Sequence, residues 1–370
     1  MHLTSLEADR LRNLKVVSLR LPEGLTLVTG RNGQGKTALL EAIYLLGTGR
    51  SFRTRRLDEL VSWQGGPLRV AASVDHRQGD NRLTVVVDDN ARSLLVDGEE
   101  QDLVSFIGRL DVVDLTAERM AVLRGAPPER RRFLDRGIVG LRPAFLRTLG
   151  EYRRVLQQRN ALLRTAHSDR QLHAAQLDVW DERLVQAAGE LHRRRREYAV
   201  RLAGELGEIS RLLLDNGAQL GLEYRPSPCQ ARDAEPARFE EVFAEALARG
   251  RGKDLALGHT FQGPHRDGLG VDLDGVDLRK FGSAGQVRAA MIALKLGKLS
   301  LVRKDREEAP LFLLDDFDSD VDEGRATVLA RYLRDGGFQA LVATSKEAMA
   351  ERLGVSFMKI RMDAGVARAG

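Results

Sequence analysis

The sequence lacks the features that mark membrane, secreted and disulfide-linked proteins. None of its apolar runs approaches the roughly 18 residues that a membrane-spanning helix needs. The first residues, MHLTSLEADRLRN, contain no apolar signal core. The single cysteine, Cys229, excludes an internal disulfide framework. We therefore expect a cytoplasmic protein with no membrane partner.

Aromatic residues are also scarce. They make up 5% of the chain, which argues against a stacking platform for exposed nucleic-acid bases. Hydrophobic residues nevertheless reach 43%, and 370 residues are enough to bury a sizeable core. That length corresponds to one large domain or to two or three modest ones.

The basic residues are mostly arginine. Of the 58 lysines and arginines, 9 are lysine and 49 are arginine, and the net charge is +5. Arginine presents a planar fork that suits phosphate. An arginine-biased genome explains the total and a solvated helix face explains any one cluster, but four clusters together favour a phosphate-backbone partner. The clusters are Arg50, Arg53, Arg55 and Arg56; Arg130, Arg131 and Arg132; Arg153, Arg154, Arg159 and Arg164; and Arg193 to Arg196.

The hydrophobic pattern changes twice along the chain. Short apolar runs with turns, typical of α/β structure, fill residues 1–140 and return in residues 251–370. Residues 141–250 are rich in charge, and their apolar residues fall at helical intervals. We predict an α/β protein whose N- and C-terminal segments flank a helical insertion domain. The insertion reads either as a short antiparallel, coiled-coil-like arm or as an ordinary packed helical subdomain.

The stretch GRNGQGKT matches the P-loop pattern, with a strand predicted before it and a helix after it. Its backbone N–H groups would surround phosphates at the positive end of the helix. Lys36 would reach the β- and γ-phosphates, and Thr37 would bind Mg²⁺. The predicted nucleotide-binding residues are Gly30, Arg31, Asn32, Gly33, Gln34, Gly35, Lys36 and Thr37.

The stretch LFLLDDFDSDVD reads as a buried strand that ends in two carboxylates. Asp315 is placed to hold Mg²⁺, and Asp316 to orient or activate water. The simpler interpretation is a strand that ends in a solvated acidic turn. A P-loop elsewhere in the chain favours the first interpretation.

The stretch KFGSAGQVRAA has a turn of small residues before a long predicted helix. Ser283, Gly285 and Gln286 stand where a second phosphate-binding helix terminus would be built. By itself this signal is weak, because small residues often precede helices. Its position shortly before LFLLDD strengthens it.

The order P-loop, SAGQ, apolar strand and Asp-Asp is similar to that of ABC-type ATPases, in which residues 319–322 would form the D-loop. The helical insertion resembles the SMC branch of that superfamily. NGQGKT followed by LLEAIYLLGTGRSFRT, then RGAPPERRRFLD, then GPHRD resemble the RecF family of bacterial recombination mediators. These stretches span nearly the whole chain.

The resemblance implies an ATPase head that works as an ATP-dependent homodimer. Ser283 of one chain would cap the nucleotide on Lys36 of another, and Asp316 would assist hydrolysis. It further implies weak, DNA-stimulated ATP hydrolysis with ATP and Mg²⁺.

The resemblance also implies binding of double-stranded DNA at gaps and junctions. The implied role is loading RecA with RecO and RecR, in repair, replication and the SOS response. We predict DNA contacts at two arginine clusters, Arg53, Arg55 and Arg56, and Arg193, Arg194, Arg195 and Arg196.

Three positions depart from the ABC pattern. Asp316 replaces the usual glutamate, which predicts slow hydrolysis. Thr344 and Ser345 stand where transporters have a switch histidine, and Asp114 or Thr116 lies near the Q-loop position. Three alternatives stay open, namely a transporter's nucleotide-binding subunit, a scaffold that uses ATP only for folding, and a chromosome-end ATPase with a longer coiled coil.

Overall fold

The computed structural model of the protein describes residues 1–77, 79–116, 123–165, 170–214, 217–232, 238–316, 323–346 and 355–369. The chain divides into two compact units. Unit 1 comprises Met1–Ala121, Glu205–Gln219 and Gly282–Gly370, and unit 2 comprises Val122–Gly204 and Leu220–Phe281. The N- and C-terminal thirds therefore fold together, and the segment between them forms most of the second unit.

Unit 1 contains two six-stranded sheets. The first is antiparallel, in the order β2-β1-β4-β5-β6-β7. Its strands are β1 (His2–Asp9), β2 (Val17–Arg20), β4 (Leu68–Asp75), β5 (Asn81–Asp88), β6 (Ala91–Val96) and β7 (Glu99–Glu100).

The second sheet has the order β15-β14-β3-β13-β12-β8 and is parallel except for the β14–β15 hairpin. Both ends of the chain contribute to it, which confirms the prediction of one head built from N- and C-terminal segments. Its strands are β3 (Leu25–Thr29), β8 (Val112–Leu115), β12 (Leu311–Leu314), β13 (Ala340–Thr344), β14 (Phe357–Asp363) and β15 (Val366–Ala369).

Helix α1 (Lys36–Thr48) contacts strands of both sheets and is buried over nearly its whole length. Its sequence, KTALLEAIYLLGT, is apolar on all sides, which is the pattern of a helix enclosed by other elements. Unit 1 also contains α2 (Leu103–Phe106), α8 (Ala284–Arg306) and α9 (Glu323–Asp335). No helix of the described residues has the length and apolarity needed to cross a bilayer.

Unit 2 combines helices with a small antiparallel sheet in the order β11-β10-β9. Helix α5 is long, and its last turns, from Glu205 onward, belong to unit 1. The elements are α3 (Pro127–Leu141), α4 (Phe145–Thr165), α5 (Arg170–Leu213), α6 (Phe239–Leu257), α7 (Leu278–Phe281), β9 (Leu220–Arg225), β10 (Gly268–Leu273) and β11 (Val276–Asp277).

The insertion is larger than a pair of helices. We predict from the sequence that the insertion spans residues 141–250. In the structure, residues 122–140 and 251–281 also belong to unit 2. One reason is a buried ion network that joins three helices. Arg159 of α4, 0% exposed, lies 2.5 Å from Asp181 of α5 and 2.7 Å from Asp254 of α6. An arginine inside a protein needs such carboxylates, because unpaired burial of its charge is costly.

A second buried network holds the GPHRD stretch inside unit 2. Arg195 lies 2.9 Å from Asp135 and 2.8 Å from Asp267, and the hydroxyl of Tyr224 donates to Asp267 over 2.6 Å. Burial alone would lower the pKa of Arg195, but the charges of Asp135 and Asp267 raise it above its ordinary value. Asp267 of the HRD triplet therefore has a structural role here.

His265 of the same stretch uses both ring nitrogens. Nε2 donates to the carbonyl of Thr260 over 3.0 Å, and Nδ1 lies 2.7 Å from the hydroxyl of Tyr152. Burial lowers the pKa of His265 to about 4, so the ring is neutral near pH 7. In that state Nδ1 accepts the hydrogen bond from Tyr152.

We expect His192 to make unit 2 sensitive to acid. It is 1% exposed and stacks on Phe239 at 3.9 Å, and burial, followed by Arg196 and Arg195, lowers its pKa to about 4 from an ordinary 6.5. The unfolded chain therefore takes up the proton first, and stability falls as pH drops from 6.5 toward 4.

The substitution His192→Phe keeps a stacked ring and removes the titration. Urea unfolding at pH 7.5 and pH 5 should show that wild type loses more stability than the variant, by on the order of 1–2 kcal/mol. An equal loss in both proteins would contradict the assignment.

Candidate nucleotide-binding site

The P-loop leaves the end of β3 and enters α1, as the sequence predicts. Gly30, Gly33 and Gly35 have positive φ angles of 145°, 81° and 106°. A Cβ on Gly30 would lie 2.5 Å from the carbonyl oxygen of Met362, so this position has no room for a side chain. Lys36 Nζ donates to the carbonyls of Gly30 (2.7 Å) and Arg31 (3.2 Å), which holds the ammonium over the loop.

Two distant segments support the P-loop from outside. Asn13 Nδ2 donates to the carbonyl of Gly33 over 2.8 Å. The Gly365 N–H donates to the Gln34 carbonyl over 3.1 Å, and the Ala364 N–H donates to Gln34 Oε1. The Gln34 side chain is therefore engaged with the β14–β15 turn.

Sequence reasoning missed both supports. Asn13 is one polar residue in a polar stretch, and the Ala364–Gly365 turn lies more than 300 residues from the loop that it holds. The only local signal is the Asp-Ala-Gly turn sequence itself, which predicts a hairpin and says nothing about its neighbour.

The acidic strand end meets the P-loop. Asp315 follows β12, and the Thr37 hydroxyl donates to Asp315 Oδ1 over 3.2 Å. Burial raises the pKa of Asp315 above its ordinary value, and neighbouring Asp316 adds to the rise, while the Thr37 hydrogen bond acts in the opposite sense. Asp316 is exposed, with a φ of 54° that is uncommon for a residue other than glycine.

Hydroxyl and carboxylate oxygens are donors that Mg²⁺ prefers, so Thr37 and Asp315 fit this ion. The described residues contain no cluster of three or more histidine, cysteine or acidic side chains suited to a metal.

The neighbouring strands place further polar residues at this edge. Thr116 follows β8 and is buried, and the Asp315 N–H donates to the carbonyl of Leu115 just before it over 3.0 Å. Asp114 lies one step inside the strand, with an oxygen 3.7 Å from Lys295 Nζ. The position therefore suits Thr116 better as the Q-loop candidate.

Thr344 ends β13, the strand between β3 and β12. Its side chain is 1% exposed, and its hydroxyl exchanges hydrogen bonds with the backbone of Lys346 at 3.1 and 3.3 Å. Ser345, the other candidate for the switch position, is exposed. The predicted D-loop, residues 319–322, lies outside the described residues.

The SAGQ stretch begins α8, where Ser283 and Gln286 form a reciprocal cap. The Gln286 N–H donates to Ser283 Oγ over 3.1 Å, and the Ser283 N–H donates to Gln286 Oε1 over 2.8 Å. Residues 283–286 are all exposed. Since a serine hydroxyl can accept one bond and still donate another, Ser283 stays able to donate to an anion.

The first arginine cluster is on the surface of unit 1. Arg53 and Arg55 are exposed. Arg56 is also exposed, but it lies 2.6 Å from Asp58 and 3.4 Å from Glu59. Arg53 and Arg55 are thus the better candidates for contact with a polyanion.

The second predicted cluster, residues 193–196, differs from the first because only part of it is exposed. Arg195 is 3% exposed and bound to Asp135 and Asp267, so its prediction as a DNA contact is wrong. The helical period explains this, because four consecutive residues cannot share one face of a helix. Arg193 pairs with Glu190, Arg194 lies near Glu190 and Glu197, and Arg196 is half-buried.

A parallel sheet with a P-loop after one strand and a carboxylate pair after another is the nucleotide-binding architecture of P-loop ATPases. The SAGQ turn at the start of α8 adds the signature of the ABC type. The added antiparallel sheet and the inserted unit place the chain with the SMC-like heads. The family model described as "RecF/RecN/SMC N terminal domain" matches residues 2–368.

Individual relatives narrow the class. The "DNA replication and repair protein RecF" of Chloroflexus aurantiacus is 38% identical over 344 residues, which cover 86% of this chain and 87% of that protein. The protein of the same name from Myxococcus xanthus is 34% identical over 352 residues, 93% of this chain and 91% of that one. This chain belongs to the RecF family.

A solved structure, described as "the recombination mediator protein RecF-ATP in RecFOR pathway", is similar over the whole chain. It is 26% identical, with a TM-score of 0.90, and the match covers 100% of this chain and 97% of that one. If the chain were the nucleotide-binding subunit of a transporter, we would not expect relatives named as DNA replication and repair proteins.

The Asn13 support can be tested with a matched pair of glycine substitutions. A Cβ at Gly365 (φ 80°) would overlap the Asn13 carbonyl, whereas one at Gly24 (φ 82°) would contact nothing within 4 Å. Both substitutions to alanine strain the backbone alike, but only Gly365→Ala should displace Asn13 and the P-loop.

We expect Gly365→Ala to weaken binding of a fluorescent ATP analogue at least tenfold, about 1.4 kcal/mol. Gly24→Ala should stay within about twofold of wild type. Equal affinities for the two variants would show that the hairpin does not support the loop.

Proposed function

We propose that this protein is an ATP-dependent DNA-binding protein of recombinational repair, in which ATP joins two copies around DNA and slow hydrolysis separates them. The observation that carries the proposal is the meeting of Thr37 and Asp315 at 3.2 Å beneath a P-loop, with an exposed SAGQ turn elsewhere in the same unit. The relatives named as DNA replication and repair proteins support the biological role.

The nucleotide site has the groups that a triphosphate needs. The P-loop glycines allow N–H groups to face phosphate oxygens, and Lys36 supplies a positive charge. Thr37 and Asp315 would hold Mg²⁺, which neutralises phosphate charge when bound. The RecF-ATP structure supports ATP as the nucleotide.

Slow hydrolysis follows from the acidic pair. Asp316 would orient the attacking water, and its side chain is one methylene shorter than the glutamate usual at this position in ABC ATPases. Thr344, buried and bonded to Lys346, offers no group that exchanges protons near neutral pH. ATP would therefore act as a timer on the dimer.

The dimer rests on the exposed signature turn. Ser283 keeps a hydroxyl proton to donate, and the first turn of the 23-residue helix α8 carries the positive end of its dipole. A P-loop supplied by a second copy would complete the site, giving two composite sites related by a twofold axis. Stimulation of hydrolysis by DNA, and action with RecO and RecR toward RecA, belong to the same proposal.

DNA would contact arginines on unit 1. Arg53 and Arg55 lie exposed on the loop after α1. Such contacts neutralise phosphates without reading sequence, so affinity should fall with salt. Gaps and duplex junctions remain the proposed targets.

Light scattering should show that ATP doubles the mass of the wild-type protein. Ser283→Asp should abolish this change, because aspartate is an equally good helix cap but would place a negative charge against phosphates. Ser283→Thr keeps the hydroxyl and should dimerise. A wild-type mass that ATP does not alter, or normal dimerisation of Ser283→Asp, would refute the composite site.

The double substitution Arg53→Gln/Arg55→Gln should reduce the slope of log affinity against log salt by about 2 for each copy that contacts the DNA, and so by about 4 for the proposed dimer, since each neutralised phosphate contributes about 0.9. The control replaces Arg109 and Arg331, two exposed arginines of the same unit, with glutamine. It changes net charge equally and should leave the slope unchanged. Identical slopes in the two variants would exclude Arg53 and Arg55 as phosphate contacts.

A further inference from the structure

Helix α1 carries one carboxylate among apolar residues. Glu41 is 0% exposed, and its neighbours Leu40 and Ala42 are equally buried. A charge in such a place is costly unless partners surround it. An apolar residue would fill this position without the cost of burying a charge. The partners of Glu41 therefore indicate the role of the carboxylate.

The first partner is Arg12. Its Nε and Nη2 each lie 3.0 Å from one Glu41 oxygen, and its Nη1 donates to the carbonyl of Glu59 over 2.7 Å. A two-pronged pair of this kind fixes orientation as well as distance. Arg12 has a φ of 55°, so its backbone is held in an uncommon conformation.

The second partner is Ser51, at the start of the arginine-bearing segment 51–56. Its hydroxyl donates to Glu41 Oε1 and accepts from the N–H groups of Arg53 (2.9 Å) and Thr54 (3.0 Å). Thr54 in turn donates to the Glu59 carboxylate over 2.6 Å. Ser51 therefore sets the backbone from which the exposed Arg53 and Arg55 project.

The same network reaches the nucleotide site. Asn13, next to Arg12 in the chain, donates to the carbonyl of Gly33 in the P-loop over 2.8 Å. Glu41 thus lies between a segment that touches the P-loop and a segment that presents arginines. The contacts join three separate segments of the chain, and all of them belong to unit 1.

We propose that Glu41 is a positioning residue that couples the nucleotide site to the DNA-contacting arginines through Arg12 and Ser51. The inference rests on the proposed function, because it assigns DNA to segment 51–56 and ATP to the P-loop. If a change at the P-loop displaces Asn13 and Arg12, the Glu41 carboxylate moves with Arg12. The hydrogen bond from Ser51 to Glu41 then changes, and with it the backbone that carries Arg53 and Arg55. By linkage, whatever DNA does to ATP affinity, ATP does to DNA affinity.

The test measures the Kd of a slowly hydrolysed ATP analogue with and without a saturating DNA duplex. The ratio of the two values is the coupling factor. We expect roughly fivefold or more in wild type, the lower end of ordinary coupling. Ser51→Ala, which leaves the P-loop and the Arg12–Glu41 pair intact, should bring the factor to within about twofold of one.

Affinity in the absence of DNA should change less than about twofold in Ser51→Ala, which separates lost coupling from a damaged nucleotide site. Ser51→Thr retains the hydroxyl and should restore the factor. A factor that is unchanged in Ser51→Ala, reduced equally in both variants, or equal to one in wild type would overturn the inference. These outcomes would not refute the proposed function, because ATP-dependent dimerisation and salt-dependent DNA binding do not require the coupling. The proposed function is tested separately, by light scattering and by the salt dependence of DNA affinity.

Discussion

Parallel pairing of β3, β13 and β12 is the constraint on which the nucleotide site depends. Because parallel strands end at one edge of a sheet, the P-loop after β3 and Asp315 after β12 face each other although 278 residues separate Thr37 from Asp315. Helix α1, enclosed between the two sheets of unit 1, holds the Thr37 end of this contact in place. The phosphate and Mg²⁺ contacts proposed for ATP follow from that alignment, whereas the proposed dimer rests on the turn at Ser283.

Arginine has two separate uses in this protein. In unit 2, Arg159 and Arg195 are internal and bind carboxylates of other elements, which ties the GPHRD stretch and four helices, α3 to α6, into one body. In unit 1, Arg53 and Arg55 are exposed. A buried ion pair is costly to break, because each partner would leave the other charge unpaired. The internal arginines are therefore structural, and only surface arginines remain for a polyanion.

The predictable part of the site is the part with local signals. The P-loop, the Asp-Asp strand end and the SAGQ cap each have residue types whose chemistry acts within a few positions, and the structure places each at the predicted strand end or helix start. Arg195 was mispredicted because a run of four arginines says nothing about which helix face is buried. Asn13 and Ser51 were missed because their partners lie 20 and 10 residues away, beyond the reach of a local motif, and Gly365 was missed because its partners lie near the other end of the chain.

By itself the sequence determined the α/β class, the flanking of a helical insertion by two head segments, the P-loop and the family. These follow from short patterns whose physical basis is local, namely backbone freedom at glycine, helix capping and apolar periodicity. The tertiary structure decided the strand order, the unit boundaries, the burial of Arg195 and the position of Glu41 between Arg12 and Ser51. The reason is that burial and charge pairing depend on which distant segments meet, and no local pattern specifies that meeting.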